Sequence, residues 1–149
     1  MKEKDGMYDY ELNKIMNKYP NYLGTFSHDE IPPLKNQLFS CIINYHNANE
    51  EGSHWVCLFH HPSHPYIQFF DSYGIVPSDT IQYKCRQYLN KKIQYSTHRI
   101  QNIKSSYCGL YCLYFLIMRY CGMNYYDIIY QFRNNGSIKN DKLLEMLFK

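Results

Sequence analysis

The sequence predicts an α+β fold, a small central sheet with helices packed against it, and three observations carry that expectation. Short runs dense in β-branched and aromatic residues fill the middle of the chain, at QLFSCIINY, HWVCLFH and YIQFF. Stretches with helical spacing of apolar residues flank them on both sides. The length, 149 residues, suits one compact domain over 1–149 with a real core and is too short for two.

Taken in order, residues 8–19 (YDYELNKIMNKY) place Leu12, Ile15, Met16 and Tyr19 on one helical face and stop at Pro20. The stretch YLGTFSHDEIPPL reads as a loop, broken by Gly24 and the Pro32–Pro33 pair. Residues 37–45 read as a largely buried strand. HWVCLFH and YIQFFDSYG flank a short connection, His61-Pro62-Ser63-His64-Pro65, which predicts a β-hairpin. Ser78 is placed to cap a helix over 79–91, with Ile81, Tyr88 and Leu89 inward and the cations outward. Residues 93–100 (IQYSTHRI) alternate like a strand. Ser105 or Ser106 is placed to cap a helix from about Cys108 through Arg119, ending near Gly122. Two further short helices are expected at about 124–133 and, after Asn140, at 141–148. The chain has no internal repeat and no low-complexity segment.

Composition narrows the class. Aromatic residues reach 17%, mostly through 17 Tyr, which suits half-buried sheet positions and also a peptide groove. Six cysteines are an even number and would allow a disulfide framework. Most of them, however, sit inside apolar runs, where free Cys behaves as a small hydrophobe. MKEKDGMYDYELNK carries no apolar leader segment, so a reducing compartment with one functional thiol is the expectation. No apolar run approaches bilayer length, and no membrane partner is expected.

Charge is uneven. Residues 1–79 hold five Lys/Arg against ten Asp/Glu, and residues 80–149 hold eleven against three. Between Asp79 and Asp127 no acid occurs, while Lys84, Arg86, Lys91, Lys92, Arg99, Lys104 and Arg119 accumulate. Such asymmetry fits a polyanion such as nucleic acid, and it equally fits a solvated helix face with its neighbouring loop.

Four residues occur in an order that suits thiol chemistry: His54, Asp71, Gln101 and Cys108. A thiol nucleophile needs a base, an acceptor that orients the base, and donors for the developing oxyanion. The predicted hairpin brings His54, at the start of one strand, beside Asp71, at the end of the next. Cys108 falls in the first turn of a helix, where unsatisfied N–H groups and the positive dipole end stabilise a thiolate. Gly109 leaves room beside it for substrate backbone. Gln101 draws its meaning only from standing seven positions before Cys108. Trp55 fits three places: under the imidazole, along a substrate groove, or in the core. Cys112 and Cys121 read as core residues, and His60, His61 and His64 as solvent-facing. Without paired Cys-x-x-Cys knuckles no metal site is expected.

The pattern SHW…FFDSYG…Q-x6-CGLYC resembles the adenovirus endopeptidase (adenain) family and its relatives in virophages and Maverick/Polinton-type elements. More distantly it is similar to the ubiquitin-like-protein proteases. YLGTF at 22–26 is similar to a segment near the adenain N-terminus, and the resemblance runs to about residue 121. It implies an adenain-like, papain-related α+β fold with a small central mixed sheet flanked by helices. It also implies His54 as general base, Asp71 as its orienter, Cys108 as nucleophile and Gln101 as oxyanion donor. Leu23 and Gly24, in the YLGTF segment, join Trp55 and Gly109 as expected groove residues. Members cleave after small residues, often at Gly-containing sites in capsid and core precursors. Departures matter too: the chain is short after the nucleophile helix. It has no cysteine where adenain couples to its activating peptide, and Cys85 is off register. A disulfide-linked peptide is therefore not carried over.

The expectation is a viral maturation cysteine endopeptidase acting on capsid or core precursor polypeptides. It should be monomeric, in the virion and the host-cell cytoplasm or nucleus. No metal or organic cofactor is required, and DNA or a peptide is the expected kind of activator. Viral DNA, the expected polyanion, would bind through Lys84, Arg86, Lys91, Lys92, Arg99 and Lys104. Two rivals remain: a ubiquitin- or SUMO-deconjugating protease of the same superfamily, and a non-catalytic nucleic-acid-binding module.

Overall fold

The structure is a computed structural model that describes residues 6–46 and 54–148. In chain order it comprises α1 (Asp9–Met16), β1 (Tyr22–Ser27), β2 (Phe39–Asn44), β3 (Trp55–His60) and β4 (Tyr66–Phe70). Then follow α2 (Asp79–Leu89), β5 (Lys92–Gln94), α3 (Cys108–Tyr120), α4 (Tyr125–Arg133) and α5 (Ser137–Phe148). The strands form one sheet in the order β1-β2-β3-β4-β5. β3 runs antiparallel to both its neighbours, β2 and β4, while the outer strands β1 and β5 run parallel to β2 and β4 respectively. The expected small mixed sheet flanked by helices is what forms.

The unbroken apolar runs make sense once both sheet faces are seen to be covered. Every residue of β2 and β3 is buried. Alternate side chains serve different cores, since successive residues of a strand point to opposite faces. Cys41, Ile43, Val56, Leu58, Ile67 and Phe69 pack against Ile81 and Cys85 of α2. Ile42, Trp55, Cys57, Phe59 and Phe70 pack against α1, α3, α4 and α5. Fully burying each large apolar side chain contributes about 1.5–3 kcal/mol, so the two cores that the sheet separates, strand and helix side chains together, hold most of the apolar burial.

One stacked pair and four buried or part-buried hydrogen bonds carry this packing over to the site. Phe70 stacks on Phe115 with ring centroids 4.6 Å apart, fixing α3 against the end of β4. Asn140 donates from Nδ2 to the carbonyls of Ile100 (3.0 Å) and Phe132 (2.8 Å). Asp141 Oδ1 accepts the Tyr111 hydroxyl at 2.6 Å and the Asn102 N–H at 3.3 Å. Together α3 and α5 hold the loop that carries Gln101.

The structure corrects several expectations. YLGTFS is strand β1, paired with β2 and irregular between Tyr22 and Thr25, where Gly24 takes φ 124°. As a half-exposed outer strand with a break it shows no clean alternation. The strand expected over 93–100 shrinks to β5, whose three residues pair with Tyr66, Ile67 and Gln68 of β4. Ser105 and Ser106 do not hold the N-cap of α3; Tyr107 does, without a side-chain capping bond. α5 begins at Ser137, with Asn140 buried inside it rather than ahead of it. Ser78 caps α2 as expected, accepting the Ile81 N–H at 3.3 Å.

Candidate active site

Because β3 and β4 are antiparallel with Cys57 opposite Phe70, the entry to β3 and the exit from β4 share one end of the sheet. His54 and Asp71 occupy those places, and His54 Nε2 lies 2.8 Å from Asp71 Oδ1. An ionised carboxylate only accepts, so Nε2 carries the hydrogen and Nδ1 keeps the lone pair. Nδ1 is buried and finds no hydrogen-bond partner among the described residues. Asp71 is itself buried, and its Oδ1 also accepts the Tyr73 N–H at 2.8 Å. Two donors fix the carboxylate, and the carboxylate fixes the ring.

Two tyrosines flank the imidazole. Tyr73 stacks on it with centroids 4.7 Å apart and planes 23° apart, and Tyr45 lies at 6.0 Å and 28°. Burial, then the Asp71 carboxylate, pushes the Tyr45 phenol up, so it stays neutral beside the pair.

Cys108 is the first residue of α3, and its Sγ accepts the Trp55 N–H at 3.4 Å. Since Trp55 follows His54 directly, this bond anchors the sulfur one residue from the imidazole along the chain. The helix end supplies a positive dipole and N–H groups, an environment that favours both a thiolate and an oxyanion. The thiol-bearing residue is fully buried.

Gln101 lies in the same cluster but with its amide occupied. Its Oε1 accepts the Ser72 hydroxyl at 2.5 Å, and its Nε2 faces Ser105 Oγ (3.0 Å), the Ser105 carbonyl (3.1 Å) and the Tyr73 hydroxyl (3.3 Å). The backbone N–H groups of Ile100 and Gln101 both donate to the Ser72 carbonyl, at 2.9 and 3.1 Å. Gln101 is thus positioned by the two residues after Asp71 and by the segment just before Cys108.

The expected groove residues do not gather here. Trp55 is fully buried, and its Nε1 donates to the Met7 carbonyl at 3.1 Å, so the tryptophan belongs to the core. The space at Gly109 is taken, since a Cβ there would lie 3.4 Å from Met7 and Leu12. That glycine makes room for α1 rather than for substrate. Leu23 and Gly24 sit on β1, two strands from β3, and Leu23 packs on the α2 side of the sheet.

The basic residues divide into two groups. Arg86, Lys92, Arg99 and Lys104 are exposed and Lys84 is half-buried. Arg86, Lys91 and Lys92 line a cleft of about 460 Å³ between α2 and β5. The Lys91 ammonium, however, donates to Asn36 Oδ1 (3.0 Å), the His64 carbonyl (3.0 Å) and His60 Nε2 (2.7 Å). An ammonium has three N–H groups, so Lys91 is saturated by its own chain. Arg119 is likewise held, by Gln68 Oε1 and the Met123 carbonyl, each at 2.7 Å. His60 is not solvent-facing as expected but buried, with Nδ1 2.6 Å from the Gln37 carbonyl. Cys121 is exposed rather than core, and no disulfide joins any of the six cysteines, all of which lie among the described residues.

Sequence reading missed Tyr73, Tyr45, Ser72 and Ser105. The hairpin register held a signal for one of them: continuing the Cys57–Phe70 pairing by three residues sets Tyr73 opposite His54.

No protein-family model matches this chain. No curated protein matches it in sequence. Among solved structures it is similar to the ASFV pS273R protease, with a TM-score of 0.57 at 17% identity, covering 85% of this chain and 62% of that one. It is also similar to ChlaDub1 from Chlamydia trachomatis, with a TM-score of 0.53 at 16% identity, covering 74% and 59%. The chain spans less than two thirds of the length of either protein. What these likenesses establish is architecture: the five-stranded mixed sheet and its helices form the papain-like, SUMO-protease-like fold.

Proposed function

We propose that this chain is a cysteine endopeptidase of adenain type that matures viral capsid or core precursors at small-residue, Gly-containing sites. The observation that carries the reading is the 2.8 Å bond from His54 Nε2 to Asp71. It leaves Nδ1 as the proton acceptor at the end of the sheet where α3 presents Cys108. His54 takes the Cys108 proton, and the thiolate attacks the peptide carbonyl. Gln101 Nε2 and backbone N–H at the start of α3 hold the oxyanion. The imidazolium protonates the leaving amine, and water then hydrolyses the thioester, with His54 as base once more. For Gln101 to act, one of its N–H groups turns from Ser105 or Tyr73 toward the oxyanion.

Support for the viral role comes from the SHW…FFDSYG…CGLYC resemblance and from the fold likeness to the ASFV protease. The fold likeness to ChlaDub1 supports a second reading, a ubiquitin- or SUMO-deconjugating protease with the same chemistry. Viral DNA is proposed as partner and activator through Arg86, Lys92, Lys84, Arg99 and Lys104. The proposed setting is the virion and the host-cell cytoplasm or nucleus, as a monomeric single domain.

The test pairs two substrates with one control. Purified protein is given peptides spanning Gly-containing capsid-precursor sites and, separately, a ubiquitin-tail thiol probe, alongside Cys108→Ala. Peptide cleavage that vanishes in Cys108→Ala supports the maturation protease. Fast Cys108 labelling by the probe without peptide cleavage moves the assignment to modifier removal. A thiol silent toward both, in a protein that retains DNA, leaves the binding module.

A further inference from the structure

Tyr73 is not among the four residues assigned to catalysis, yet it touches the supports of three of them. Its ring stacks on His54 at 4.7 Å. Its N–H donates to Asp71 Oδ1 at 2.8 Å, the same oxygen that holds the imidazole. Its hydroxyl accepts from Gln101 Nε2 at 3.3 Å and donates to the Ser105 carbonyl at 3.1 Å. The turn that presents it is rigid: the Gly74 N–H closes onto the Asp71 carbonyl at 2.9 Å. Gly74 takes φ 70°, and a Cβ there would lie 2.6–2.8 Å from the backbone of residues 97–99.

We infer that Tyr73 is the positioning residue that ties the orientation of the general base to that of the oxyanion donor. The inference rests on the cysteine-protease reading. The ring does one half of the work. An imidazole held only by Asp71 keeps one bond while pivoting about it, and the stacked phenol blocks that pivot, so Nδ1 stays on the thiol side. The hydroxyl does the other half. Of the three acceptors around Gln101 Nε2 it is the most distant, so it is the bond that yields when an oxyanion arrives. The freed hydroxyl keeps its own bond to Ser105. Tyr73 thereby resets Gln101 after each turnover without a change in the fold.

The two halves separate by substitution. Tyr73→Phe keeps the ring and removes the hydroxyl, whereas Tyr73→Leu removes both. Tyr73→Met fills similar space without a ring, should the Leu variant not fold. The readouts are kcat and KM on a cleaved peptide, and the pH dependence of Cys108 alkylation by iodoacetamide. A Cys121→Ser background removes the exposed competing thiol. The titratable groups in contact with the imidazole are Asp71, Tyr45 and Tyr73, and the Cys108 thiol bonds to the backbone N–H of the next residue, Trp55.

Tyr73→Leu is expected to lower kcat by roughly 10–100-fold at unchanged KM, the scale of a catalytic group misplaced by about 1 Å. Its alkylation profile should move toward that of an ordinary thiol. Tyr73→Phe should keep the wild-type alkylation profile and lose several-fold in kcat alone. A folded Leu or Met variant with the wild-type alkylation profile and kcat overturns the inference and leaves the protease reading standing. If wild-type alkylation already matches that of His54→Ala, the protease reading itself falls and Tyr73 has nothing to position.

Discussion

Removing the Gln101 side chain should do two different kinds of damage, and two measurements tell them apart. Gln101 is fully buried, and its Oε1 accepts the Ser72 hydroxyl at 2.5 Å while Nε2 serves Ser105. Gln101→Ala leaves those buried partners short, which costs stability by about 1–3 kcal/mol. If Nε2 also stabilises the oxyanion, a further ~2.7–4 kcal/mol of transition-state stabilisation goes, a factor of about 10²–10³ in kcat. Gln101→Glu keeps the shape and the oxygen that meets Ser72, but offers no N–H. Its second oxygen then opposes the Ser105 carbonyl in a buried site, so it should melt no later than the Ala variant, while kcat per titrated active site falls by the same factor as in Gln101→Ala. The assay is steady-state cleavage of a Gly-containing peptide, with active-site titration to correct for unfolded enzyme, beside urea melts of both variants. A Glu variant with undiminished kcat and kcat/KM would refute the oxyanion role and transfer it to backbone N–H groups.

Cys108→Ala and His54→Ala should each abolish cleavage, and the double variant should be no worse than either, because the two residues act as one proton-transfer unit. Rates that fall additively would break that unit. For DNA, alanine at Lys84, Arg86 and Lys92 should flatten the log-affinity against log-salt slope by roughly 0.9 per lost phosphate contact. Lys91→Ala should instead lower the urea midpoint and barely move that slope, since its ammonium is spent on Asn36, His60 and His64. Equal retention of wild type and the triple variant on duplex DNA at low salt would end the nucleic-acid proposal. Burial, with Lys91, His61 and His64 adding to it, holds the His60 imidazole below the ordinary histidine range, although the Gln37 carbonyl pulls the other way. The unfolded chain therefore takes up a proton near the ordinary value of about 6.5 that the native ring refuses. Stability contributed by neutral His60 is whole above that pH and is lost as pH falls toward the lower native value. A urea midpoint that stays flat from about pH 7.5 to 5, or falls equally in His60→Gln, would contradict this.

Three of the four proposed catalytic positions, His54, Asp71 and Cys108, follow from local grammar, whereas Gln101 carries no signal beyond its spacing to Cys108 and the family resemblance. The Trp55–His60 and Tyr66–Phe70 runs are bounded by a Pro-containing connection, and antiparallel pairing then fixes which ends meet. Cys108 opens an apolar helix whatever holds its cap. What could not be read locally was everything that depends on which distant segment fills a space. Gly109 looks like an opening in the sequence, but Met7 and Leu12 occupy it in the fold. Trp55 looks available beside His54, but the Met7 carbonyl takes its one donor. β1 was invisible for a related reason: a half-exposed outer strand broken at Gly24 offers neither alternation nor an apolar run.

Charge misled in the same way, and the correction is physical rather than statistical. A run of cations without acids looks uniform in sequence, yet a cation is available to phosphate only if its N–H groups are not already spent. Lys91 sits where α2 ends and β5 begins, and the turn at His61–His64 and Asn36 reach it across the fold to saturate it. Buried His60 accepts its third hydrogen, which couples that cation to a protonation state: a charged His60 could no longer accept. Acid would then break the Lys91–His60 bond and set two positive charges against each other beside the cleft. The stretch from 80 to 104 is therefore not one polyanion surface. It is an exposed set, Arg86, Lys92, Arg99 and Lys104 with half-buried Lys84, beside a pH-sensitive clamp that pins the start of β5 to the hairpin.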